Sequence, residues 1–126
     1  LVARGPTPLP PAEAAAARLL AAPDRPSAIV ATNDVFAVGV MLACRRAGIR
    51  IPEDLSVTGV DNTDLGATQT PPLTSVATPI TDIGRSAADQ LMARLEGVAC
   101  EHFQQHPVEL VVRGSTAPPD PRRLAA

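Results

Sequence analysis

The sequence predicts an α/β fold, a mostly parallel sheet with helices on both faces, and three observations predict it. Residues 28–62 read as a strand, a helix and a second strand: two short β-branched apolar runs flank one unbroken stretch of helix formers. The same alternation extends to both sides, giving the order α, β, α, β, β, α, β, which calls for a parallel sheet rather than a sandwich or a bundle. At 126 residues with 45% hydrophobic content, the chain is long enough to bury a core and is one unit at most.

Taken in order, Pro10 and Pro11 open an alanine-rich helix over residues 12–22, and Pro23 closes it, with Leu19 and Leu20 expected to face the core. Pro26 launches a strand over 28–32, Ala-Ile-Val-Ala-Thr. The helix Asp34–Ala47 follows and ends at Gly48, a residue free to take the left-handed conformation that stops a helix. Arg45 and Arg46 form its solvated last turn, favourable beside the negative end of the helix dipole. A turn over 51–54 leads to the strand Ser56–Val60. Residues 61–72 are polar and proline-rich and read as a loop without regular structure, long enough to be functional. The extended run 73–77 follows; then Thr78 as N-cap and Pro79 at the first helical position start the clearest helix of the chain. Ile80, Ile83, Gly84, Ala87, Ala88, Leu91 and Leu95 recur in it at helical spacing as far as Gly97. A last strand lies in 107–112, so the sheet has about four strands, counting any remnant at Leu1-Val2. Residues 117–126 read as a disordered tail rich in proline.

The unit over 28–62 sets the functional centre. A β-α-β connection makes its two strands parallel, so both finish on the same edge of the sheet, where open α/β sheets take small ligands. Those ends are Asn33 and Asp61. On neighbouring strands about 4.8 Å apart, an amide and a carboxylate would converge there. Each also has a purely structural reading: Asn33 or Asp34 can cap the following helix, and Asp61 can close its strand as a turn residue.

Several function classes lack support. The net charge of −2 and the absence of a basic run give no electrostatic footprint for nucleic acid within this chain. Phe36 and Phe103 are its only aromatics, so it offers no platform for stacking bases or sugars. Cys44 and Cys100 are too sparse for a disulfide scaffold and favour a reducing, cytoplasmic setting. No apolar run approaches the ~20 residues of a membrane helix, and residues 1–5 do not read as a signal peptide. Cys100, His102 and His106 are close in sequence but match no zinc spacing, and no cofactor is expected. Gly39, Gly48, Gly59 and Gly66 are spaced wrongly for a phosphate cradle, and Asp61 with Asp64 fixes no geometry for glycoside hydrolysis. No enzyme reading has positive support.

The helix Asp34–Ala47 carries two apolar stripes. Phe36, Val40, Ala43 and Ala47 form one; Val38, Met41 and Leu42 fall on the other, with Arg45 at its end. One stripe covers the sheet, and the other is expected to need a partner, most simply a second copy of the chain.

Specific motifs then accumulate: Ala-Ile-Val-Ala-Thr-Asn-Asp at 28–34, Ile-Pro-Glu-Asp-Leu-Ser-Val-Thr-Gly-Val-Asp-Asn at 51–62, Pro-Pro-Leu-Thr-Ser-Val at 71–76, and Leu-Val-Val-Arg-Gly-Ser-Thr at 110–116. In this order they closely resemble the LacI/GalR (lactose-repressor/galactose-repressor) family over residues 10–117. The resemblance implies the C-terminal subdomain of a periplasmic-binding-protein-like fold, in which two α/β subdomains enclose a ligand cleft. Residues 1–117 would be a partial effector-binding domain, without the N-terminal subdomain and helix-turn-helix, and 118–126 a tail. It also implies that Asn33 and Asp61 hydrogen-bond an effector of the sugar or nucleobase class. Ile80 falls where some members carry an aromatic residue that stacks on the ligand, a contact isoleucine cannot make. The helix bearing Val38, Met41 and Leu42, with the loop around Gln69, would lie at a homodimer interface, and operator DNA would be met only through a domain absent from this chain. The fold also serves periplasmic and sensory solute-binding proteins, which stand as the alternative to a cytoplasmic regulator; a dimerisation module without ligand function is a third reading.

Overall fold

A computed structural model describes residues 9–101 and 103–119. The proposed strand remnant at Leu1-Val2, His102, and residues 120–126 of the tail lie outside the described residues. In chain order the elements are α1 (Leu9–Leu20), β1 (Ala28–Val30), α2 (Asp34–Ala47), β2 (Ser56–Val60), α3 (Asp64–Ala67), β3 (Thr74–Ala77), α4 (Ile80–Leu95) and β4 (Glu109–Val111). The four strands form one sheet in the order β1-β2-β3-β4, with β1, β2 and β3 parallel and β4 antiparallel on β3. This is the mostly parallel α/β sheet that the alternation of elements predicts.

The core lies between the sheet and α2. Val57 on β2 and Leu73 just before β3 are fully buried against Ala37, Val40, Met41 and Cys44 of α2, with Leu55 closing the bottom. On the outer side of α2, α1 packs through Ala12, Ala15 and Ala16, all buried. The alanine-rich composition of α1 has a steric purpose here. A Cβ at Gly39 would stand 2.6 Å from that of Ala12, so small residues on both helices let their backbones approach. Arg46 reinforces the contact by pairing with Glu13 at 2.7 Å, although its exposure keeps that contribution small. Of the two leucines expected in the core, both are half-buried and Leu20 packs against the cluster.

The second apolar stripe of α2 is not free. Val38 and Met41 are each 3% exposed within this single chain, covered on the side that α2 turns toward α3 and the loop before β3. The helical wheel places one stripe opposite the other, but α1 and α3 flank α2, so most of its circumference is occupied. Only Val35, Phe36 and Leu42, half-buried, and the exposed Arg45, Arg46 and Ala47 remain toward solvent.

Two local expectations are corrected. Residues 61–72 are not wholly irregular: Thr63 caps one turn of helix, α3, by accepting from the Gly66 N–H at 3.3 Å. At the start of α4, Thr78 does not cap. Pro79 occupies that position, and the Ile80 N–H turns back to the Thr78 carbonyl at 2.8 Å, an i to i+2 turn incompatible with a side-chain cap at Thr78.

The far face of the sheet stays largely open, with Val30 80%, Leu110 57% and Val112 68% exposed. α4 buries no residue at all, and the periodic Ile80, Ile83, Leu91 and Leu95 are exposed. Past β4 the chain turns back under the sheet. The fully buried Ser115 accepts from the Thr74 N–H at 2.8 Å and donates to the Val57 carbonyl at 2.6 Å, while its own carbonyl accepts from the Val57 N–H at 2.9 Å.

Candidate functional site at the sheet edge

β1 and β2 are direct neighbours, and the Ala31 N–H extends their ladder by one bond to the Thr58 carbonyl at 2.9 Å. Asn33 and Asp61, each three residues beyond the paired Val30 and Thr58, therefore lie on one edge, as parallel strand direction requires. Both are half-buried. Asn33 is the N-cap of α2 and its Oδ1 accepts from the Phe36 N–H at 2.8 Å. That engages the carbonyl end of the side chain and leaves Nδ2, two donors, without a partner among the described residues.

Asp61 stands in an unusual conformation. Its φ is 100° and that of Asn62 is 53°, a left-handed pair without a glycine. Such backbone costs on the order of 1–3 kcal/mol per residue and persists only where surrounding structure holds it. The Asp61 N–H is tied to the Val76 carbonyl at 2.9 Å, which connects the turn to β3. Its carboxylate makes no hydrogen bond to any described residue. The edge thus presents an acceptor pair on Asp61 beside a donor pair on Asn33, a set that fits vicinal hydroxyls or ring N–H groups.

Sequence reasoning left Asp34 as an alternative cap, and the structure gives it another place. Asn33 does the capping, while Asp34 is wholly buried and accepts three hydrogen bonds. Oδ2 accepts from the Thr63 N–H at 2.6 Å and the Thr63 hydroxyl at 2.9 Å; Oδ1 accepts from the Ser75 hydroxyl at 2.6 Å. Gly59 and Gly66 make room for this carboxylate and for the Leu73 side chain beside it, since a Cβ at either would also stand 3.0 Å from Leu73 Cδ2. A Cβ on Gly59 would collide with Asp34 Oδ1, and one on Gly66 would stand 3.0 Å from Oδ2. Arg113 stands in a motif of the family resemblance, but the sequence assigns it no role. Its guanidinium donates to Asn62 Oδ1 at 2.6 Å and to the Leu73 carbonyl at 2.7 Å.

The other residues singled out lie elsewhere. Asp64 is exposed in the first turn of α3, and Ile80 is 60% exposed at the start of α4. Cys100 is half-buried with its thiol 3.8 Å from the Gln90 carbonyl. Among the described residues no group of three or more His, Cys, Asp or Glu side chains is placed to hold a metal ion. Gln69 is half-buried and its Nε2 donates to the Leu65 carbonyl at 2.7 Å. No helix of the described residues is long and apolar enough to cross a membrane.

The model of the periplasmic binding protein-like domain matches residues 2–116. The repressor PurR of Photobacterium profundum is 40% identical over 103 residues, covering 80% of this chain and 30% of that protein. A LacI family transcriptional regulator from Enterococcus faecium, solved with bound ribose, superposes with a TM-score of 0.85 at 30% identity, covering 95% of this chain and 44% of that one. The lac repressor dimer, solved on its operator, superposes with a TM-score of 0.83 at 30% identity, covering 89% and 39%. The chain spans about a third of the length of the curated relative and less than half of the solved ones. A chain that the family model matches over nearly all its length, with an open α/β sheet and relatives that are LacI-type repressors and regulators, belongs to the periplasmic binding protein-like family.

Proposed function

We propose that this chain is one wall of the effector cleft of a cytoplasmic, LacI-type transcriptional regulator, and that its effector is a sugar held by Asn33 and Asp61. The observation that carries this reading is Asp61: a half-buried carboxylate without a partner among the described residues, on a left-handed backbone that costs free energy to hold. Strain kept at a strand end beside the Asn33 Nδ2, which has no partner among the described residues, supports a ligand contact rather than a mere turn. The ribose bound by the Enterococcus faecium neighbour has the vicinal hydroxyls that such a pair would grip. The reaction is binding, not catalysis, and it needs no cofactor.

One wall alone cannot enclose a ligand, so a second is supplied by protein outside this chain; the exposed apolar residues of α4 and of the far sheet face support further cover from such protein. Coupling to DNA would run through a homodimer, as in the operator-bound lac repressor. In our reading Leu42 and Gln69, with surface still to offer, take the larger share of that interface. Val38 and Met41 support it from beneath, because their side chains are already covered.

The test is calorimetric titration of the intact protein with ribose, lactose, cellobiose, cytidine and adenosine. Asp61→Ala removes hydrogen bonds to a charged group, worth roughly 1.5–3 kcal/mol, so affinity should fall on the order of 10- to 100-fold while Asp64→Ala binds normally. Unchanged affinity in Asp61→Ala removes the assignment.

A further inference from the structure

We infer that Asp34 is a positioning residue for the effector edge: its buried carboxylate holds the left-handed turn that aims Asp61 into the cleft. This deepens the proposed function and rests on its reading of Asp61. A carboxylate with no exposed surface is costly to bury, and Asn33 already caps α2, so capping does not account for it. What Asp34 bonds is instead the stretch just after Asp61. Oδ2 takes the Thr63 N–H directly. Oδ1 takes the Ser75 hydroxyl, whose oxygen in turn accepts from the Asn62 N–H at 3.0 Å. The amides of the two residues after Asp61 are therefore both fixed by one side chain, directly or through one hydroxyl. The Asp61 amide is fixed by Val76, and the Asn62 side chain is held from the far side by Arg113. Remove the carboxylate and two left-handed residues lose the contacts that oppose their strain. Gly59 and Gly66 agree with this, because each yields the volume that lets the carboxylate sit between β2, α3 and β3. Ligand-binding geometry that depends on locked neighbours loses affinity when they loosen, even where no ligand contact is touched.

The experiment compares Asp34→Asn and Ser75→Ala with Ser115→Ala in the intact protein. Asn is isosteric but neutral: an NH2 turned toward Thr63 meets an N–H donor, and one turned toward Ser75 makes the hydroxyl accept instead of donate, so the charge-assisted bonds to the turn are lost either way. Ser75→Ala removes the relay and leaves the carboxylate. Ser115→Ala disrupts a buried hydrogen-bond network away from the edge and controls for general destabilisation. Two readouts are taken: calorimetric affinity for ribose, lactose, cellobiose, cytidine and adenosine, and amide hydrogen exchange at Asn62 and Thr63 relative to the core amide of Met41 in α2. The expected result is faster exchange at Asn62 and Thr63 in both edge variants, and affinity lower by roughly tenfold or more in Asp34→Asn for whichever probe binds the wild type. Ser115→Ala should stay within about twofold in affinity. Wild-type affinity in Asp34→Asn, together with lost affinity in Asp61→Ala, would overturn the positioning role while leaving the effector site standing. If Asp61→Ala binds like wild type, or no probe binds at all, the effector reading gains no support from affinity. Exchange at Asn62 and Thr63 alone then decides whether Asp34 holds the turn: unchanged exchange overturns it, faster exchange sustains it.

Discussion

α2 and α4 are amphipathic helices of similar length, 14 and 16 residues, yet eight residues of α2 are buried and none of α4 is. Their sequences announce helices equally well. The difference lies in what each meets: α2 has the sheet on one side, α1 on another and α3 on a third, whereas the apolar stripe of α4 meets nothing comparable among the described residues. Hydrophobic periodicity states that a face requires cover; it does not state which part of a protein supplies the cover. Here the covered helix carries Asn33, one of the two residues we propose for the effector, at its N-terminus.

The sharpest way to break this contrast is to place the same charge on each helix. Met41→Asp puts an unpaired carboxylate into the core and should cost several kcal/mol, enough to unfold the chain in a denaturant titration followed by circular dichroism. Leu91→Asp, at a position 58% exposed, should stay within about 0.5 kcal/mol in this chain. In the intact protein Leu91→Asp should become costly, because the protein outside this chain that we propose would cover it; an equally mild effect in both contexts would remove α4 from that contact.

A smaller contrast comes from adding one methyl to each region. Gly59→Ala must push against Asp34 and should lose about 1–3 kcal/mol. Gly84→Ala, with nothing within 4 Å of its new methyl, should gain roughly 0.5–1 kcal/mol by helix propensity alone. Thermal unfolding of the two variants reads both signs.

Thiol chemistry separates the regions again. Burial in α2 pushes the Cys44 thiol up to about 11, only partly offset by Arg25, and this cysteine has no exposed surface. A disulfide exchange reagent at pH 8 should therefore label Cys100 first and Cys44 only on unfolding. Because the folded thiol ionises later than its unfolded value of 9.0, its contribution to stability is complete below pH 9 and is lost as pH rises toward 11.

The least effect is expected at the surface turn after α2. Arg50 bonds Asp54 through Nε and NH2, both at 2.7 Å, and holds its carboxyl well below the usual carboxylate range. A depressed folded value means that the stabilisation is present above the unfolded pKa of about 3.9 and fades as pH falls further. Asp54→Asn should thus be slightly less stable than wild type at pH 7, with the gap closing in acid; urea midpoints at pH 7 and pH 3 measure it.

The placement of Asn33 and Asp61 on one sheet edge was legible because parallel pairing follows from connection length, and connection length is visible in sequence. Asp34 was not, because its significance depends on Thr63 and Ser75, 29 and 41 residues away, and on two glycines whose spacing matches no motif. The helix α3 was hidden by composition: one capped turn among prolines and threonines leaves no periodic signal. The second stripe of α2 was visible as a pattern but misleading as a surface. A wheel projection cannot tell a helix with one neighbour from a helix with three.

Ser115 fixes an order of events during synthesis. Val57 and Thr74 lie in the middle strands, but the amide of each is satisfied only by a residue 58 and 41 positions later. A nascent chain halted before residue 115 has every strand of the sheet and still cannot pair these two interior amides. The sheet is therefore completed from its C-terminal end, and ribosome-bound chains released in steps through residues 112–118 should gain protease resistance abruptly rather than gradually.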